Sequence, residues 1–154
     1  MNERIGLRGT FRLKVYKNGE LVESIVDKNL IVNEGFSLVQ QLLTSSANNK
    51  HVTKIAFGDL TTQAVAEPDP AWVAIPDPIT VSGGNAWKSF DSVTFPSDRS
   101  ISFNWSLQGG EANGNDIAYF GLLAQDGKLF AAKSRPAIAK TADIVLQGTW
   151  IINF

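Results

Sequence analysis

The sequence contains no cysteine. That excludes disulfide staples, thiolate metal sites and cysteine nucleophiles, and it fits a protein made in a reducing cytosol. There is one histidine, His51, so the usual zinc ligand set cannot be filled. A Ser-His-Asp triad would rest on His51 alone, and no G-x-S-x-G elbow supplies its nucleophile. His51 stands beside Lys50 in a polar turn and reads as a surface residue. An excess of one charge is missing too: 14 basic residues stand against 15 acidic ones, without the basic cluster of a nucleic-acid binder. Arg4, Arg8, Arg12, Lys14 and Lys17, with Glu3 and Glu20 among them, read as a solvated strand face. No run approaches the ~18 apolar residues of a membrane-spanning helix, and MNERIGLRGT lacks the apolar stretch of a signal peptide. Neither nucleic acid nor membrane is an expected partner.

What is present is alternation. At 154 residues the chain suits one domain, residues 1–154, with a core large enough to need no staple. In Phe11 to Tyr16 every second residue is apolar, the mark of a half-buried strand. Asn18-Gly19 follows, the strongest short hairpin signal, and the return strand is expected over Leu21 to Val26. The period changes between Lys28 and Leu43. There Asn33 is placed to cap a short helix over 34–43, with Glu34 near its positive end. Phe36, Val39 and Leu43, with Leu42, supply its apolar stripe, and Ser45 to Asn49 ends it.

Further strands are expected over Val52–Phe57, Trp87–Phe95, Ile101–Leu107, Ile117–Ala124, Leu129–Lys133 and Asp143–Phe154. Ile101, Phe103, Trp105 and Leu107 are assigned inward; Ser102, Asn104 and Ser106 are assigned to water. One wet face implies an antiparallel sheet. The resulting expectation is a mainly β fold of about eight strands with one short helix. An antiparallel β-sandwich, jelly-roll or immunoglobulin-like, or a closed barrel satisfies this pattern. The aromatic-rich inward rows favour the sandwich. A Pro-rich loop spans about 60–84, with Pro68, Pro70, Pro76 and Pro78. A loop of that length is usually functional or disordered, yet this one carries Trp72, Val73 and Ile75.

Candidate chemistry is sparse. Glu111 to Asp116 has the composition of a cation loop. An EF-hand needs Gly sixth and Glu twelfth, whereas Asp116 and Leu122 stand there; a looser cation site stays open. Asp91, Asp98, Glu111 and Asp116 are the candidates for a glycosidase carboxylate pair, and each also reads as a solvated turn residue. Gly83-Gly84 and Gly109-Gly110 lack the spacing of phosphate loops. Trp87, Trp105 and Trp150 sit in strand alternation and read as core. Trp72 reads either as an exposed contact anchor or as a loop residue folded back on the sheet. Asp69, Pro70 and Trp72, together with Glu111 and Asn113, are the candidate partner contacts. No cofactor and no reaction are implied; binding or assembly is the expected role.

The succession of several blocks resembles small bacteriophage virion structural proteins. An N-terminal strand pair leads to Lys28-Asn29-Leu30-Ile31-Val32-Asn33-Glu34-Gly35 and then Lys54-Ile55-Ala56-Phe57-Gly58. Next come Glu111-Ala112-Asn113-Gly114, Phe120-Gly121-Leu122-Leu123, Gly127 and Leu129-Phe130-Ala131. Ile138-Ala139-Lys140-Thr141 and Gly148 to Phe154 close the series, which covers nearly the whole chain. Two departures stand out: Ala132-Lys133 replaces an Arg common in the family, and the Pro-rich loop is longer. The resemblance implies a non-enzymatic virion protein assembled in the host cytoplasm. A chain ending in a core strand at Phe154, with no fibre shaft, is expected to be a capsid decoration or head-accessory subunit. It would bind other virion proteins, such as the major capsid or tail proteins, as a homo-oligomer such as a trimer. The alternatives are a tail, collar, baseplate or fibre-adaptor component and a host-surface carbohydrate-binding module.

Overall fold

The computed structural model describes residues 6–44, 49–81 and 83–154. The expected helix-ending run is described only at Asn49, and Glu3 and Arg4 also lie outside the described residues. Among these residues, nine strands and one helix follow in chain order. They are β1 (Arg8–Lys17), β2 (Glu20–Ile31), α1 (Asn33–Thr44), β3 (Val52–Asp59), β4 (Lys88–Ser89), β5 (Ser92–Ser97), β6 (Ser100–Leu107), β7 (Asp116–Ala124), β8 (Leu129–Ala139) and β9 (Ile144–Asn153). All pair antiparallel in one sheet of order β4-β3-β7-β8-β2-β1-β9-β6-β5. The count is nine rather than eight because the expected strand over Trp87–Phe95 breaks at Phe90-Asp91. Its first piece pairs with β3 and its second with β6.

That break also shapes the sheet. Its first and last strands, β4 and β5, are consecutive in the chain with two residues between them. At the other corner β2 pairs along β1 and then, through Leu30 and Ile31, with β8. The expected end of β2 at Val26 was therefore too early: the strand runs on to Ile31 to reach the second limb. Past that short ladder, Lys133–Asp27 and Arg135–Glu23 ion pairs at 2.5 and 2.8 Å bridge β8 and β2. The sheet curls into two limbs, β2-β1-β9-β6-β5 and β4-β3-β7-β8, whose inner faces meet.

The meeting is aromatic. Phe11 of β1 lies 4.9 Å from Phe120 of β7 and 5.2 Å from Trp150 of β9, ring centre to ring centre. Phe57 of β3 lies 5.3 Å from Trp105 of β6. All five rings are buried. Offset and edge contacts of this kind add to the stabilisation from burial itself. The inward assignment of Phe103, Trp105 and Leu107 holds. Ser102 and Ser106, assigned to water, are nearly covered as well. Gly148 faces Trp105 directly across the β6–β9 ladder, and the indole lies where its side chain would be.

Two expectations about exposure change. The helix begins at Asn33, with the Val32 carbonyl accepting from the N–H groups of Gly35 and Phe36, so Val32 rather than Asn33 occupies the cap position. Its buried side holds Gly35 and Leu38, whereas Phe36, Leu42 and Leu43 are exposed, Leu43 by 82%. The cause is steric: Gly35 rests on the backbone carbonyl of Phe130, where a Cβ would overlap, and this contact sets the helix rotation. Second, β7 is covered on both faces from Ile117 to Leu122. A second apolar cluster of Val32, Ala56, Ile75, Ala118, Tyr119, Leu129 and Ala132 covers its outer side. Doubly covered strands read as continuous apolar runs, as Ile117 to Leu123 does.

Trp105→Ala is expected to cost about 3–5 kcal/mol, as deletion of a buried aromatic. Gly148→Ala, which forces the indole aside, is expected to cost about 1–3 kcal/mol. Chemical denaturation measures both; an unchanged midpoint for either contradicts the inward packing of Trp105.

Candidate functional site

The long loop after β3 is a cover with its own hydrogen bonds. The N–H of Asp59 donates to the Asp77 carbonyl at 2.9 Å, and the N–H of Ile79 donates to the Phe57 carbonyl at 2.8 Å. The N–H of Ala66 donates to the Tyr119 hydroxyl at 2.9 Å. Gly58 permits this because the Pro76 carbonyl occupies the space of a side chain there. Asp69 caps its own turn, accepting the Ala71 N–H at 2.8 Å, as aspartate does in loops. The Pro70 carbonyl accepts the N–H of Asn33 at 2.8 Å and so ties the loop to the start of α1. Trp72 is half-buried, with its ring edge-on to Tyr119 at 6.2 Å. The ring is folded back on the sheet with part of it still exposed, and Val73 beside it is exposed.

Glu111 and Asn113 lie elsewhere, in the turn from β6 to β7, so the candidate contacts form two places. The turn is wrapped around Lys140, which the sequence reading did not single out. Lys140 is 1% exposed. Its Nζ donates to Asn113 Oδ1 at 2.9 Å and to the Thr141 carbonyl at 3.1 Å. Its backbone N–H donates to the Asn115 carbonyl, and its carbonyl accepts the Gly114 N–H, both at 2.9 Å. Asn113 Nδ2 donates to the Gly109 carbonyl at 2.7 Å. Gly114 takes a φ of 88° and Ala112 one of 58°, which bends the chain tightly enough to enclose the lysine. Glu111 Oε1 accepts from Lys88 Nζ at 2.7 Å and from the Gln108 N–H at 3.0 Å.

The electrostatics follow from this enclosure. Burial pulls the Lys140 ammonium below its ordinary pKa, while the charges of Glu111 and Asp143 oppose that pull. Burial pushes the Glu111 carboxyl upward, but the hydrogen bonds from Lys88 and Gln108 and the two lysine charges outweigh it, leaving it below the usual range. Asp27 is lowered chiefly by its hydrogen bond from Lys133. At the Gln125-Asp126-Gly127 tip, burial raises Asp126, and the Lys50 hydrogen bond, the Lys128 N–H and both lysine charges bring it below normal.

Two of the candidate carboxylates, Asp98 and Glu111, stay apart. Asp98 precedes β6 and Glu111 follows it, so an eight-residue strand separates them. That is ~26 Å at ~3.3 Å per residue, far beyond the ~5–9.5 Å of a glycosidase pair. His51 is exposed, and its carbonyl accepts the Gln125 N–H at 2.9 Å. Among the described residues no group of three or more His, Asp or Glu is placed to hold a metal ion. A polar groove of about 450 Å³ lies on the first limb, lined by Arg12, Lys14, Asp91, Asn104, Gln147 and Thr149. The cross-strand pairs Arg12↔Thr149 and Thr149↔Asn104 build it. Register, which no single strand reveals, brings these groups together. They offer hydrogen bonds and charge. Comparison with family models, curated proteins and solved structures finds no match.

Two outcomes are expected. Trp72→Ala leaves a folded chain at a cost of about 1–2 kcal/mol, since only part of the ring leaves cover; a chain that fails to fold contradicts the half-buried placement. Lowered carboxyl pKa values mean that the unfolded chain takes up protons first as pH falls. The stability supplied by Glu111, Asp126 and Asp27 is complete above the ordinary carboxylate range and is lost as pH drops through their lower folded values. Tm measured from neutral to acid pH should decline from that range downward, and less steeply in Glu111→Gln. A flat profile contradicts the ion pairs.

Proposed function

We propose that this chain is a non-enzymatic structural subunit of a bacteriophage particle, a capsid decoration or head-accessory protein that works through many weak contacts held by symmetry. The observation that carries this reading is a pair of unlike apolar patches on one limb. Leu21, Val22 and Val26 are exposed on β2, Val26 by 65%, and Val93 and Phe95 on β5, Phe95 by 73%, with Phe154 exposed after β9. The strand order puts β2 and β5 four spacings apart, ~19 Å at ~4.8 Å each. Two different patches at opposite margins suit head-to-tail contacts, which close into rings such as trimers. Bound to a symmetric shell, such a subunit gains avidity by repetition. The facing aromatic layers support reading the two limbs as a sandwich. The resemblance of the sequence blocks to those of virion proteins supports the setting.

Virions labelled with an antibody against this chain test the location. Uniform label over the head is expected; label confined to a tail or a single vertex, or no label, overturns the head assignment. Val26→Glu and Phe95→Asp are expected to weaken incorporation at least tenfold with Tm nearly unchanged. Normal incorporation of both variants contradicts the two-patch reading.

A further inference from the structure

Lys140 is a charged side chain shut away from water, and its amine is held against an amide. Nζ donates to Asn113 Oδ1 at 2.9 Å. The amide orientation is fixed by chemistry: an ammonium can only donate and the Gly109 carbonyl can only accept, so Oδ1 faces Lys140 and Nδ2 faces Gly109. That contact places the amine beside the amide whose carbon it would attack. Backbone bonds on both sides, Gly114 to Lys140 and Lys140 to Asn115, keep the two groups in register without help from either side chain.

We propose that Lys140 and Asn113 become joined by an intramolecular amide bond. The neutral Lys140 amine attacks Asn113 Cγ, the new Nζ–Cγ bond forms, and the Cγ–Nδ2 bond breaks. The amide nitrogen departs as ammonia. The proton that Lys140 sheds to become nucleophilic leaves with it as ammonium, so the step balances and needs no oxidant or co-reactant. Burial favours the neutral amine, because desolvation penalises the charged form. Among the described residues no carboxylate lies within ion-pairing distance of Nζ to hold the proton in place. Glu111 and Asp143 act on it through their charges, with Lys88 engaged by Glu111 and the Lys17 charge acting on Asp143. The competing reaction of an Asn-Gly pair is attack by the following backbone nitrogen. Here the Gly114 N–H is bound to the Lys140 carbonyl, which holds it away from that task. The product would tie the β6–β7 turn to the β8–β9 connection, 27 residues along the chain. The inference rests on these two loops alone and is independent of any role in a virion.

Intact-mass spectrometry of the purified full chain after incubation at neutral and mildly alkaline pH reads the bond directly. The expected mass is one ammonia below that of the sequence, and Lys140→Arg and Asn113→Ala both restore the full value. Proteolysis is expected to release one branched peptide joining the segments around residues 113 and 140. A full sequence mass for the unaltered chain overturns the proposal, and so does a digest with linear peptides alone. A loss of ammonia that persists in Lys140→Arg also overturns it, by assigning the loss to backbone cyclisation. Asn113→Ala leaves Lys140 and its backbone bonds in place, so the reading does not depend on Lys140→Arg folding.

Discussion

The contact of Phe11 with Phe120, and of Phe57 with Trp105, across the inside of the curled sheet is the interaction on which the rest depends. Each pair takes one ring from either limb. Besides such ring contacts the two limbs are connected by the short β2–β8 ladder with its two ion pairs and by the two-residue passage from β4 to β5. A sheet that curls this far has to fill its interior with large side chains or collapse unevenly. Gly148 shows how tightly the space is used, since the Trp105 indole occupies the room that its missing side chain leaves. Close-packed interiors of this kind are sensitive to single added or removed methyl groups.

With the inside filled by rings, the outer faces differ. The second limb is covered by α1 and by the Pro-rich loop, whose residues Ile75 and Trp72 rest on Ala56 and Tyr119. The first limb stays open. It carries polar rows around Asn104, which accepts from Ser102 and Thr149 and donates to Ser92, and it carries the exposed apolar residues at its margins. One outer face is thus sealed and the other open. The ends of the fold are finished differently. The turn from β6 to β7 is closed around Lys140, and the tip of the β7–β8 hairpin is held by the Lys50–Asp126 ion pair at 2.8 Å.

Local patterns in the sequence were enough to place most of the strands and the inward residues Phe103, Trp105 and Leu107. Asn18-Gly19 makes the turn its residues favour, and the alternation from Phe103 to Leu107 places its apolar side chains inside. The parts that were not legible depend on distant partners. The split at Phe90-Asp91 arises because one extended stretch serves both ends of the sheet. The helix rotation follows from Gly35 meeting the Phe130 carbonyl, 95 positions away in the chain, and the apolar stripe of the helix points elsewhere. Lys140 gave no local signal at all, because its burial is made by a turn some 25 residues earlier. Trp72 showed an ambiguity that only Tyr119 resolves. The site residues were thus recognised as turn-forming, but which of them gather around a common centre was fixed by tertiary packing.

The two limbs, joined by ring contacts and by the short β2–β8 ladder, are expected to unfold as one cooperative unit. Native-state hydrogen exchange distinguishes a single unit from two that open separately. The most direct measurement compares the slowest amides of β1, β6 and β9 with those of β3 and β7. The account predicts that both sets exchange only through global unfolding, with the same free energy and the same denaturant dependence. A β3–β7 set that opens at lower free energy while β1, β6 and β9 stay protected would contradict it.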